Sequence, residues 1–193
     1  MPTIAEYLKL ANLQMAAEAL FGYEAVSADP NQPPPSLEPG KPRVGAIDPA
    51  WLTTGNLHAS KFTPTQAAEF AAQWTVVEHI SNTTTGFSGT LFKNNATGEL
   101  VLSFRSTEFI DDAARDNEAT NKLEIKEKGW AFGQLSDMET WYQSLKSRGL
   151  IDSQLSVTGY SLGGHLATAF NLMHQPKGSE SFDFLRAELG QLG

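Results

Sequence analysis

The stretch from Ser153 to His174, S-Q-L-S-V-T-G-Y-S-L-G-G-H-L-A-T-A-F-N-L-M-H, constrains the chain more than any other. Leu155 to Thr158 alternates apolar and polar around the β-branched Val157 and reads as a short buried strand. Gly159 and Gly163 flank Ser161, and an apolar periodic run follows through Leu166, Ala167, Ala169, Phe170 and Met173. The pattern predicts a strand, a sharp turn and a helix. A serine at such a turn is lifted off the sheet edge, and side chains at Gly159 or Gly163 would collide with the strand or the helix start. Ser161 is therefore a candidate nucleophile. The Leu162 backbone N–H, at the start of the helix, is a candidate oxyanion-hole donor. The competing reading is a glycine-rich structural turn.

Composition narrows what that serine could serve. A chain of 193 residues with no cysteine offers neither a disulfide framework, nor a thiol nucleophile, nor a zinc–thiolate site. With 22 acidic against 14 basic residues and a net charge of −8, nucleic acid is not an expected partner. No apolar stretch is long enough to span a bilayer, and Glu6, Lys9, Asn12, Gln14 and Glu18 interrupt the run that a signal peptide would need. Compartment stays open. No cofactor or metal site is expected.

In chain order, Thr3 to Phe21 is an amphipathic helix candidate, with Ile4, Leu8, Ala11, Met15, Ala19 and the neighbouring Leu13 and Leu20 spaced by three or four and expected to pack. Seven prolines between Pro30 and Pro49 predict a surface loop wrapping the core. Trp51 to Phe62 reads as loop or short helix. Thr63, Pro64 and Gln66 form a capping-box start, with the helix expected to run to about Ser81 and to carry His79 near its C-terminus. Phe87–Lys93 and Glu99–Arg105 read as a hairpin whose second strand is central. That strand exits into Arg105, Ser106, Thr107 and Glu108, a polar cluster where an open α/β sheet keeps its site. Thr107 is the candidate for a second oxyanion donor, and Arg105 reads as a structural or loop-anchoring ion pair. The charged segment 109–128 reads as solvated surface, without the spacing of a calcium loop. Trp130 to Leu145 is a further helix with an aromatic core stripe, closed by Lys146, Arg148 and Gly149.

A serine hydroxyl needs a base, and the base needs an orienting carboxylate. After Ser161 stand Asp183 as the sole aspartate and His165 and His174 as the sole histidines. His165 lies one turn along the same helix and His174 about 20 Å along its axis, so neither is a credible base. His58 and His79 precede the nucleophile. The triad acid and base are not identifiable in this chain. Three strands are convincing, so the sheet is expected to be incomplete, truncated after the nucleophile helix.

Leu100-Val101-Leu102-Ser103-Phe104-Arg105-Ser106-Thr107 is similar to a strand ending in Phe-Arg-Gly-Thr. Val157-Thr158-Gly159-Tyr160-Ser161-Leu162-Gly163-Gly164-His165-Leu166-Ala167 is similar to Val-Thr-Gly-His-Ser-Leu-Gly-Gly-Ala-Leu-Ala. On these two motifs, residues 86–174 resemble the lipase class 3 family of α/β-hydrolases, most of all its bacterial lipase and phospholipase A1 members. The resemblance implies an α/β-hydrolase-type sheet with flanking helices. Residues 1–49 would form an N-terminal helix and Pro-rich wrapping segment, and 50–193 the N-terminal part of the hydrolase domain. It implies Ser161 as nucleophile, Thr107 and Leu162 as oxyanion donors, Gly159 and Gly163 as support for the turn, and a lipid ester as substrate, hydrolysed as by a triacylglycerol lipase or a phospholipase A1. Tyr160 replaces the usual histidine and Ser106 the usual glycine. A missing C-terminal segment or a cleaved second fragment would supply the rest of the triad. A non-catalytic lipid-binding module, a thioesterase and a peptidase are the alternatives.

Overall fold

The computed structural model describes residues 3–19, 21–22, 42–54, 61–81, 83–106, 130–151 and 155–174. Five strands, β1 (Gly45–Ala46), β2 (Trp74–Ile80), β3 (Gly89–Asn94), β4 (Leu100–Phe104) and β5 (Leu155–Gly159), form one sheet in the order β1-β2-β3-β4-β5. The first four pair antiparallel, and β5 joins β4 in parallel. Helices α1 (Ile4–Ala17), α2 (Pro49–Thr54), α3 (Pro64–Gln73), α4 (Phe132–Ser147) and α5 (Leu162–His174) flank it. The class is α/β with a mixed sheet.

The start of α3 follows its local chemistry. Thr63 accepts from the Gln66 N–H, the Gln66 side chain accepts from the Thr63 N–H, and Pro64 takes the first turn, where its missing N–H costs nothing. Its end corrects the expected helix to Ser81. The helix stops at Gln73, Trp74 turns to an extended backbone (φ −129°, ψ 148°), and Trp74–Ile80 is a strand paired on both sides. Four of its seven residues, Thr75, Val76, Val77 and Ile80, are β-branched and favour a pleated surface. A bulge between Val76 and Glu78 breaks the two-residue alternation, so that Trp74, Val76 and His79 share one face and Val77 and Ile80 the other. The resulting spacing of three mimics a helix in sequence.

Two core layers cover the sheet. On one face Leu13, Ala16 and Ala17 of α1 join Phe21, Leu52, Phe62, Phe70, Trp74, Phe92 and Val101. On the other, α4 and α5 bring Leu135, Met138, Trp141, Leu145, Leu166 and Phe170 against Leu91, Leu102 and Phe104. Strand β4 alternates between them, Val101 to the first and Leu102 and Phe104 to the second, as a central strand covered on both faces must.

Three further readings are corrected. Helix α1 ends at Ala17, and its expected apolar face is buried only towards the C-terminal end: Leu13 and, just past the helix, Ala19 are in the core and Met15 packs against it, while Ile4 is 88% and Leu8 61% exposed. Polar bonds add to this apolar contact in docking the helix. Lys9 Nζ pairs with Glu99 Oε1 at 2.6 Å, Ser103 Oγ donates to the Leu13 carbonyl at 3.0 Å, and Gln14 Nε2 donates to Thr158 Oγ1 at 2.6 Å. The proline-rich segment was expected to be all loop, yet it contributes the edge strand β1 and the first residue of α2. Among the described residues the sheet has five strands rather than three; β1 is only two residues long and β2 carries the bulge, so neither shows a strand pattern in the sequence.

Candidate active site

The turn between β5 and α5 is defined by backbone packing. Ser161 has φ 51°, and it is the only non-glycine residue with positive φ among the described residues. A left-handed backbone costs an L-residue with a side chain about 1–2 kcal/mol, and it persists only where its surroundings over-determine it. They do so here. A Cβ on Gly159 would collide with the carbonyl group of Gly163, and one on Gly163 with the carbonyl oxygen of Phe104 at the end of β4. Strand, turn, helix and neighbouring strand therefore meet backbone to backbone. The Ser161 carbonyl accepts the His165 N–H at 3.1 Å, opening the helix, and Ser161 and Tyr160 are exposed above the sheet edge.

Leu162 is the first residue of α5, so its N–H has no earlier helical turn to bond to, and it lies at the positive end of the helix dipole. The neighbouring wall is the exit of β4. Arg105 is buried and its N–H donates to the Ser88 carbonyl at 3.1 Å, while the Ser106 N–H donates to Glu18 Oε1 at 2.9 Å. Thr107 lies outside the described residues, as do His58, Asp183 and the segment 109–128.

The three described histidines are engaged elsewhere, and no hydrogen bond joins Ser161 Oγ to any of them. His165 Nε2 accepts the Ala131 N–H at 3.3 Å with its ring beside Trp130, and burial lowers its pKa. His174 Nε2 is 2.8 Å from Glu139 Oε2, between Tyr142 and Phe170. His79, expected near a helix end, stands in β2 with Nδ1 2.9 Å from Thr90 Oγ1 and no hydrogen-bond partner for Nε2. Burial first, and the Arg105 charge second, push its pKa down to about 3.

That depression makes a pH prediction. Between its ordinary value near 6.5 and about 3, the unfolded chain binds a proton at His79 that the folded chain refuses. Its contribution to stability is complete above pH 6.5 and falls with decreasing pH by about 1.4 kcal/mol per unit across that window. Urea unfolding of His79→Gln from pH 7 to 4 should show a slope shallower by that amount. An identical slope would contradict the assignment.

Among the described residues no group of three or more histidine, aspartate or glutamate side chains is arranged to hold a metal ion, and no described helix is long and apolar enough to cross a membrane. Sequence reasoning missed Glu18. Its signal was a carboxylate at the C-terminal end of a helix, where the dipole disfavours negative charge.

No protein-family model and no curated protein matches the chain. It is similar to a solved structure of a fungal lipase. The TM-score is 0.42 at 19% identity, and the match covers all of this chain and 60% of that one.

Proposed function

We propose that the chain is a serine-dependent carboxylic ester hydrolase acting on lipid, with Ser161 as nucleophile. The observation that carries this reading is the left-handed Ser161 backbone in a strand–turn–helix whose flanking glycines pack against backbone. Such strain is retained where an exposed hydroxyl must be presented at a helix N-terminus. In the reaction Ser161 Oγ attacks the ester carbonyl carbon and gives its proton to a base. The oxyanion is held by the Leu162 and Thr107 N–H groups, and collapse expels the alcohol, which takes up that proton. Water then hydrolyses the acyl-enzyme and restores the serine. The base is a group outside the described residues. The lipid substrate is supported by the likeness of the two motifs to the lipase class 3 pattern, as triacylglycerol or phospholipid.

A second reading, a non-catalytic lipid-binding module, is favoured by one observation: no described histidine is bonded to Ser161. Intact-mass measurement of the full chain after treatment with a fluorophosphonate ester separates the two. A single adduct that is absent from Ser161→Ala is expected, with hydrolysis of p-nitrophenyl butyrate lower in that variant by about 10⁴-fold or more. A wild-type chain that takes no adduct would move the assignment to the module.

A further inference from the structure

Glu18 is the C-cap residue of α1 and is 4% exposed. Two physical terms oppose a carboxylate there: desolvation, and the negative end of the helix dipole. Its oxygen Oε1 lies 2.9 Å from the Ser106 backbone N–H, across 88 residues of sequence. A bond from a backbone N–H to a carboxylate is among the stronger hydrogen bonds, and this one falls where β4 leaves the sheet. On its other side the same strand exit meets the nucleophile turn, because the carbonyl oxygens of Phe104 and Arg105 are the atoms that a Cβ on Gly163 would strike. The Arg105 N–H, bonded to the Ser88 carbonyl, closes the third side. The exit of β4 is thus gripped by α1, by β3's leading segment and by the turn that carries Ser161.

We infer that Glu18 is a positioning residue for the Ser161 site: its carboxylate fixes the Arg105–Ser106 backbone against the Ser161–Gly163 turn, and so sets the distance between the two walls that bracket the reacting carbonyl. The inference rests on the acyl-transfer reading above for its chemical meaning, and on described residues alone for its geometry. Among the described residues, the bonds from Lys9, Leu13 and Gln14 of α1 run to Glu99, Ser103 and Thr158, below the exit, and the Glu18 bond reaches the exit itself.

The test compares the full chain with Glu18→Ala and Glu18→Gln by amide hydrogen exchange and by the rate of fluorophosphonate labelling. In Glu18→Ala the Ser106 amide is expected to exchange about tenfold faster while the Leu13 and Ala17 amides of α1 keep their protection. Labelling should slow about tenfold, and kcat for p-nitrophenyl butyrate should fall by a similar factor at unchanged KM, less than the loss on deleting an oxyanion donor outright. Glu18→Gln, whose amide oxygen still accepts, should recover most of both. A labelled wild type whose Glu18→Ala variant labels at the same rate overturns the inference and leaves the reading of Ser161 intact. So does faster exchange throughout α1, which would mark a merely structural residue. A wild type that takes no label, with Ser106 released in Glu18→Ala, removes the acyl-transfer reading and supports the grip on β4.

Discussion

Gly163→Ala is expected to destabilise the chain by about 3 kcal/mol or more and to abolish labelling of Ser161, although it adds one methyl group. The added carbon would meet the carbonyl groups of Phe104 and Arg105, which are main-chain atoms of a central strand and of its bonded exit, not the yielding end of a side chain. Relief requires α5 to move off β4 or the turn to open, and either repacks the face built by Leu162, Leu166 and Phe170. Gly164→Ala is the internal control. Its Cβ would stand 3.2 Å from the Gly159 oxygen, a contact that a shift of a few tenths of an ångström removes. Denaturant unfolding should therefore rank Gly163→Ala well above Gly164→Ala, and equal costs would refute the backbone packing described for the turn.

Trp141→Ala carries the second large effect. The indole fills the centre of the layer between α4 and the sheet, 5% exposed, with its ring 5.9 Å from that of Phe87 and its Nε1 donating to Glu78 Oε1 at 3.0 Å. Removing it leaves a cavity and costs about 3–5 kcal/mol. Glu78 keeps Arg148 at 2.6 Å, so the carboxylate is not orphaned and the loss reports mainly on packing. The same ring explains a small residue in β3: a Cβ on Gly89 would lie 2.7 Å from Trp141 Cζ3. Gly89→Ala should consequently be costly in the wild type and mild in the Trp141→Ala background. A coupling near zero in that double-mutant cycle would show that the two do not share the space.

The parts of this molecule that sequence disclosed are those whose cause is local. The capping box at Thr63 and Gln66 is chemistry over three residues, and α3 begins there as expected. The Trp130–Leu145 stripe specified a helix with one buried aromatic face, and α4 buries Leu135, Met138, Trp141 and Leu145 on it, with Gly149 at φ 68° just past its end. Strand β2 was not legible, because its bulge converts an alternating pattern into a spacing of three, and only pairing with β1 and β3 reveals which period applies. The first half of the α1 face was misread for a related reason. Ile4 and Leu8 have helical spacing yet are exposed, and the helix is docked by Leu13, Ala16 and Ala17 together with polar bonds to residues about 90 to 144 positions away.

The site divides along the same line. Sequence alone determined the strand–turn–helix around Ser161, because two glycines beside a serine answer a steric demand confined to five residues, Gly159 to Gly163. Only the tertiary structure decided what presses on that turn. The carbonyl of Phe104 under Gly163, the Glu18 carboxylate on Ser106, and the commitment of His79, His165 and His174 to Thr90, Ala131 and Glu139 all join residues on different elements of the fold. Their partners are chosen by how helices and strands stack, and a one-dimensional pattern of apolar and polar residues does not encode that choice.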